Sequence, residues 1–378
     1  MQAIFKNFGI YIHVPFCATK CAFCRFYKMR PSEDDATAYV LTLKKELENL
    51  SQNQQMKRPD TMFWGGGTPT ALSEKNIELL ADSISKILPT KEWTVEVSPS
   101  TATQSKLQLL KDLGVSRISL GVQSFNPKTL RSLGRAHTLK ATETAIDTIS
   151  DIGFKHFSLD LIFGAEEQTI SEWIEDMHYA STKPVDHISA YCLEFESGTS
   201  CCGGITDGRE LAKREREGDF MEESMKVLPE LGFNQYEISN YAKTPDSQCL
   251  HNLSTWHMAE WLGLGPAAAS QYNKLRYRNT PSLEKWATAI DANSTAREDI
   301  VELDDDEMYS SALIFGLRMN AGVNLSILKN RFPTANVQKY IPTLELLHNE
   351  GLLNFSDNNV SLTFEGRLLA DSIATELL

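Results

Sequence analysis

Cys17, Cys21 and Cys24 form a C-x3-C-x2-C loop directly after the strand-like run Tyr11–Phe16. Three thiolates at this spacing can hold three irons of a 4Fe–4S cubane, whereas complete cysteine ligation takes four. The fourth iron is then open to an exchangeable ligand, which suits a cluster that does chemistry as well as electron transfer. A structural zinc site wants four ligands, so Cys249 or His251 would have to complete this one. Disulfides fit less well, because seven cysteines is an odd number and nothing points to export.

Strand-like and helix-like segments alternate through the first 200 residues and must position that loop. Candidate strands are Gly9–Val14, Thr61–Trp64, Trp93–Val97, Arg117–Val122, Phe157–Phe163 and His187–Phe195. Amphipathic patterns over Ala36–Leu50, Glu74–Leu88, Thr103–Leu113, Lys140–Ile152 and Ile170–Ser181 lie between them. This repeated βα order predicts an α/β fold whose parallel sheet curls into a partial barrel of the (β/α)6 type. An open doubly wound sheet has the same order, but no G-x-G-x-x-G opens a helix here. In barrels of this kind chemistry sits at the carboxyl ends of the strands. Those ends carry the Cys loop, Gly65-Gly66-Gly67, Glu96, Gln123, Asp160 and Glu194. Glycines without Cβ atoms let the backbone approach a ligand and hold it with N–H and C=O groups.

Beyond a helical stretch at Lys213–Leu231, residues Asn234–Ala269 read as irregular. The acidic run Asp304-Asp305-Asp306-Glu307 marks a boundary, followed by a helix over Met308–Met319. Val360–Leu378 reads as a strand, a turn at Gly366 and a closing helix, so the C-terminal segment is expected to be a small winged-helix-like module. Residues 301–378 hold eleven Asp/Glu against five Lys/Arg, which argues against DNA binding and for a lid or docking role.

The formal net charge of the whole chain is −13, so nucleic acid and anionic membrane surfaces are not expected partners. With 42% hydrophobic and 23% charged residues the chain is globular. It shows neither a signal-peptide pattern nor the roughly 18 apolar residues of a membrane span, so a cytoplasmic location is expected.

These features together resemble the radical S-adenosylmethionine (SAM) superfamily, in which the amino and carboxylate groups of SAM bind the open iron of a three-Cys cluster. The chain is closer still to the HemN/HemW group of coproporphyrinogen-dehydrogenase-like proteins. The matching stretches are Tyr11–Phe16, Trp64–Pro69, Gly121–Phe125, Gly134–Thr138, Asp160–Gly164, Tyr236–Ala242, Gly263–Gly265 and Leu362–Arg367. The resemblance implies that Cys17, Cys21 and Cys24 ligate the cluster, and that Tyr11 and Phe23 flank it and the bound SAM. It further implies that Gly66, Gly67 and Thr68 hold the amino-acid part of SAM, while Glu96, Gln123, Arg135 and Asp160 contact its other polar groups. Domains are expected at 1–298, a radical SAM barrel with an extension, and at 299–378, a HemN-type C-terminal module.

The decarboxylating oxidases of this group carry a fourth cysteine two residues after the third. Here that position is Phe26, as in the HemW branch, which is regarded as haem chaperones. That branch also shows H-N-x-x-Y-W, matched here by His251-Asn252-Leu253-Ser254-Thr255-Trp256 with Thr255 in place of Tyr. Arg25 stands where an Asp is usual, and a cation there would raise the cluster potential. The resemblance thus implies a haem-binding chaperone with a 4Fe–4S cluster, exchangeable SAM, haem as cargo and an acceptor protein as partner. Its alternative is a radical enzyme acting on a tetrapyrrole. His251 is the best candidate axial ligand to haem, with Cys201-Cys202 a weaker thiolate site.

Overall fold

Alternation along the strands decides how the chain is layered. In His156–Phe163, Phe157, Leu159, Leu161 and Phe163 pack into the main hydrophobic core. The intervening Ser158, Asp160 and Ile162 line a central cavity, as the two-residue period of a strand requires. The neighbouring strand repeats this, with Ile118, Leu120 and Val122 in the core and Arg117, Ser119, Gly121 and Gln123 on the cavity. Helices cover the first face, and the second encloses the site.

The computed structural model describes residues 7–17, 27–30, 32–53, 57–193, 207–356 and 358–378, with backbone only at 51–53 and 207–215. Cys21, Phe23, Cys24, Arg25, Phe26, Glu194, Cys201 and Cys202 lie outside the described residues. The elements in order are β1 (Phe8–Val14), α1 (Glu33–Asn53), β2 (Thr61–Gly66), α2 (Glu74–Ile84), β3 (Glu92–Val97), α3 (Gln104–Asp112) and β4 (Arg117–Gln123). They continue with α4 (Pro127–Ser132), α5 (Leu139–Ile152), β5 (His156–Phe163), α6 (Ile170–Ser181), β6 (His187–Cys192), α7 (Asp207–Glu230), β7 (Asn234–Glu237) and β8 (Asn240–Ala242). Next come α8 (Leu250–Trp256), β9 (Glu260–Leu264), β10 (Ala269–Tyr272), β11 (Leu275–Asn279), α9 (Leu283–Asp291) and β12 (Arg297–Glu302). The C-terminal part holds α10 (Asp305–Leu317), β13 (Val323–Asn324), α11 (Leu325–Arg331), α12 (Ile341–Asn349), β14 (Leu353–Ser356), β15 (Asn359–Leu362), α13 (Phe364–Leu368) and α14 (Ala370–Glu376).

The larger sheet runs β12-β11-β10-β9-β1-β2-β3-β4-β5-β6-β8-β7. Strands β1 to β6 are parallel in sequence order, as expected of a (β/α)6 partial barrel. Local signals set the helices: Thr169 and Glu172 form a reciprocal capping box on α6, and Gly153 ends α5 in a left-handed C-cap.

Three expectations are corrected. The segment read as irregular holds β7, β8, α8 and β9, and β9 pairs parallel with β1, extending the barrel sheet by a strand. Glu260-Trp261-Leu262-Gly263-Leu264 is short and glycine-interrupted, so neither period shows in its sequence. The boundary expected at 298/299 falls inside β12, which pairs with β11; the second body begins after it. Gly366 sits within α13, its N–H donated to the Thr363 hydroxyl (3.0 Å), rather than at a turn.

The C-terminal body has its own core, built around Tyr309, Leu313, Leu344 and Val360, and a three-stranded sheet ordered β13-β15-β14. It is tied to the barrel by main-chain bonds from Ile238 N to Arg318 O (3.1 Å) and from Asn320 N to Tyr236 O (3.0 Å). Arg331 reinforces the join by donating to the carbonyl oxygens of His257 and Met258. No helix among the described residues is long and apolar enough to cross a membrane.

Candidate cofactor and ligand site

At the end of β1 the Cys loop departs against the glycine run that ends β2. Gly67 N donates to Val14 O (2.9 Å) and Thr68 N to Phe16 O (2.7 Å). A Cβ on Gly67 would lie 2.5 Å from Phe16 O and 2.6 Å from Val14 O, so only glycine allows the two loops to touch. Gly66 has φ +93°, and a Cβ there would meet His13 Nδ1 at 2.3 Å. The docking leaves Cys17 Sγ 3.7 Å from the Thr68 hydroxyl. Cys17 and the glycine loop thus share one wall.

That wall belongs to a cavity of about 610 Å³ at the carboxyl end of the sheet, a size that suits a small-molecule cofactor. Cys17, Gly66, Gly67, Thr68, Glu96, Gln123, Arg135 and Asp160 all line it. Gln123 takes φ +71° at a register shift between β4 and β5, a strained conformation that directs a strand-end side chain inward. Arg135 follows α4 and acts electrostatically on Asp160. Ser124 and Phe125 are fastened from behind by the buried Asp176.

Two carboxyls meet inside. Burial, then the nearby Asp160, pushes Glu96 up to about 8, opposed by a hydrogen bond from the Gly66 backbone. Burial pushes Asp160 up to about 6, against hydrogen bonds from Ser119 and Ser189 and the charge of Arg135. Near neutrality Glu96 therefore holds a proton that it can give up when a cation or donor enters. The polar ends, the glycine backbone and Cys17 fit a ligand carrying an amino-acid group at one end and hydroxyls and ring nitrogens at the other. With Cys21 and Cys24 in the same loop, the donor set fits a three-thiolate cluster.

Tyr11 and His251 line a second cavity of about 560 Å³, with His13, Tyr27, Thr255, Trp261 and Arg278. Phe63, which lines the first cavity, separates the two; its ring lies 6.3 Å from Tyr11 and 5.3 Å from His251. The Tyr11 hydroxyl pairs with His13 Nδ1 (3.1 Å), and His13 Nε2 with Tyr27 O (2.9 Å). His251 Nδ1 pairs with the Thr61 hydroxyl (2.9 Å), and burial pushes this imidazole down to about 4.

Sequence reasoning missed what closes the cavity at its amino end. Glu92 at the start of β3 accepts Arg117 Nε (3.1 Å), Leu250 N (3.1 Å), His251 N (2.9 Å) and the Cys249 thiol (3.6 Å). The start of α8 is thereby pinned beneath the barrel, with Asn252 on the first cavity and His251 on the second. The isolated acidic residue at a strand's start was the available signal. Tyr191, also on the first cavity, was missed as well.

The model of the radical SAM superfamily matches residues 11–180, and that of the HemN C-terminal domain matches residues 303–369. The heme chaperone HemW of Bacillus subtilis is 31% identical over 96% of this chain and 97% of its own length. HemW of Lactococcus lactis is 27% identical over 99% and 98% respectively. A zebrafish mitochondrial protein described as radical S-adenosyl methionine domain-containing protein 1 is 28% identical over 98% of this chain and 86% of its own. The fold matches that of the Escherichia coli coproporphyrinogen III oxidase HemN, with TM-score 0.83 at 21% identity over 99% of this chain and 90% of that one. Identity of 31% to one such relative over nearly the whole of both chains, with the radical SAM and HemN C-terminal models matched in order along it, shows that the chain belongs to the HemW branch of the radical SAM superfamily.

Proposed function

We propose that this protein is a haem chaperone that carries a 4Fe–4S cluster on Cys17, Cys21 and Cys24 with exchangeable SAM, and passes haem to an acceptor protein. The observation that carries the proposal is the setting of His251. Its Nδ1 is taken by Thr61, which fixes the ring and directs Nε2 toward metal coordination. Its lowered pKa keeps the imidazole neutral at physiological pH, the form that ligates iron. Around it stand the aromatic Tyr11, Tyr27 and Trp261, and Arg278, whose Nε pairs with Asp299 (2.7 Å), brings a guanidinium to the rim. The names of the bacterial relatives support haem as cargo.

In the first cavity Gly66, Gly67 and Thr68 would hold the amino-acid end of SAM, and Glu96, Gln123, Arg135 and Asp160 its other polar groups. A cluster held by Cys17, Cys21 and Cys24 would supply an electron for reductive cleavage of a carbon–sulfur bond of SAM, and the barrel wall would shield that chemistry from water. The completeness of this polar set favours a second reading, a radical enzyme acting on a tetrapyrrole.

The deciding experiment is anaerobic reconstitution with SAM, a strong reductant and either haem or coproporphyrinogen III, followed by mass spectrometry. Unaltered haem retained by the protein, with background 5′-deoxyadenosine only, supports the chaperone. Stoichiometric 5′-deoxyadenosine with a decarboxylated or altered tetrapyrrole overturns it. His251→Ala is expected to lose the Soret signature of ligated haem while keeping its iron and sulfide content.

A further inference from the structure

Two buried polar groups at the deep end of the first cavity lack partners. Arg117 is 1% exposed. Its Nε serves Glu92 and its Nη2 the Gln248 carbonyl oxygen (3.0 Å), but Nη1 is buried without a hydrogen bond. Thr94, its register neighbour on β3, is equally buried and its hydroxyl is also unpartnered. Both line the cavity, and Asn252 and Ser158 bring further polar side chains to it.

Leaving a buried polar group without a hydrogen bond is costly, and more so for a charged one. A group that fills this place must accept from the guanidinium and can accept from the hydroxyl as well. Glu92 does not reach Nη1, since its two oxygens serve Arg117 Nε, two backbone N–H groups and the Cys249 thiol. Guanidinium forks match planar carboxylates. Glu96 and Asp160 lie farther toward the carboxyl ends of their strands, so the floor is reached past them and suits something small. Glu96 itself is held toward its neutral form, which removes one like charge from above an anion.

We propose that this floor is a subsite for a small monocarboxylate, between formate and propionate in size, held by Arg117 Nη1 and the Thr94 hydroxyl. It is separate from the haem proposal and stands if that one fails. A bound water satisfies the same atoms but brings no charge, and this difference makes the proposal testable.

The probes are acetate, propionate and the uncharged propionamide, followed by saturation-transfer difference NMR on the cluster-loaded protein without SAM. Propionate is expected to bind about tenfold more tightly than propionamide, as a charge-assisted bond requires. Thr94→Val keeps the side-chain shape and is expected to weaken propionate about fivefold, the worth of one neutral hydrogen bond. The paired variant Arg117→Met with Glu92→Leu leaves no lone buried charge and is expected to abolish the signal; circular dichroism checks its fold. If that pair does not fold, Thr94→Val decides. No carboxylate signal in the unmodified protein, equal binding of propionamide, or an unchanged signal in Thr94→Val overturns the proposal.

Discussion

Glu92→Gln tests the physical basis of the barrel floor. Glu92 is 6% exposed and its partner Arg117 1%, so neither charge is relieved by solvent. Breaking a buried ion pair by neutralising one member leaves the other uncompensated and costs about 3–5 kcal/mol. Glutamine also replaces one acceptor oxygen by an NH2. If the amide faces Oε2's place it confronts Arg117 Nε and Leu250 N; at Oε1's place it confronts His251 N. Either orientation strands at least one N–H, a loss of about 1–3 kcal/mol that overlaps the first, so we take about 3–5 kcal/mol for the whole. Equilibrium urea unfolding followed at 222 nm reads it as a lowered midpoint. Asp291→Asn, which breaks the exposed pair with Lys45 (3.1 Å), is the control and should barely move the midpoint. A Glu92→Gln protein within about 1 kcal/mol of the parent refutes the reasoning, because the pair would then be no more than a surface contact.

Gly66→Ala forces a Cβ into His13 at φ +93°, so SAM binding measured by calorimetry is expected to fall at least about tenfold. Gly114→Ala, with φ +97° but open space around it, should lose some stability and leave SAM binding intact; equal SAM binding by the two variants contradicts the cradle. For Glu96, whose folded pKa is raised to about 8, the folded state keeps a proton that the unfolded chain releases. Stability therefore falls as pH rises from the ordinary carboxylate range through about 8. Glu96→Gln should flatten the part of that fall above pH 7, and an unchanged slope removes Glu96 as its source. Trp256 lies 5.9 Å from Phe315 and under Arg318 at 4.8 Å, contacts worth about 1 kcal/mol each. Trp256→Ala should speed limited proteolysis between β12 and α10, and unaltered cleavage there counts against this docking contact.

Much of the first cavity was legible because chemistry and backbone period coincide there. Glu96, Gln123 and Asp160 stand at or near the carboxyl ends of apolar runs, and alternation then puts them on the face opposite the core. Arg135 was named only through family resemblance. An arginine in a turn after a short helix has no periodic neighbour to say which way it points, and its electrostatic effect on Asp160 emerges only after β4, α4 and β5 are placed. The strand β9 was missed for a different reason. Its pairing with β1 joins residues about 250 positions apart in sequence, and five residues containing a glycine carry too little pattern to announce a strand. The acidic run Asp304–Glu307 stands where the second body begins, whereas the line drawn at 298/299 cut into β12, an exposed and charged edge strand with no apolar alternation to announce it.

The same logic explains why the H-N-x-x-x-W run is hard to interpret from sequence and informative in three dimensions. Its seven-residue helix is too short to be stabilised by propensity, so its position must come from what grips it. Glu92 grips its start, Thr61 holds the His251 ring, and Phe315 and Arg318 of the C-terminal body meet Trp256 at its end. One short element therefore touches the floor of the first cavity, the wall of the second and the join between the two bodies. Thr255 lies within it and donates to the His251 carbonyl oxygen (3.3 Å), a local bond that needs no aromatic ring. Where the resemblance expects a tyrosine, this chain presents the smaller Thr255 to the second cavity, while the contacts that grip the helix lie at other positions. The substitution thus bears on what that cavity admits and how tightly it closes. Thr255→Tyr should accordingly change haem affinity without moving the urea midpoint, and a change in both together would mean that the residue is part of the scaffold.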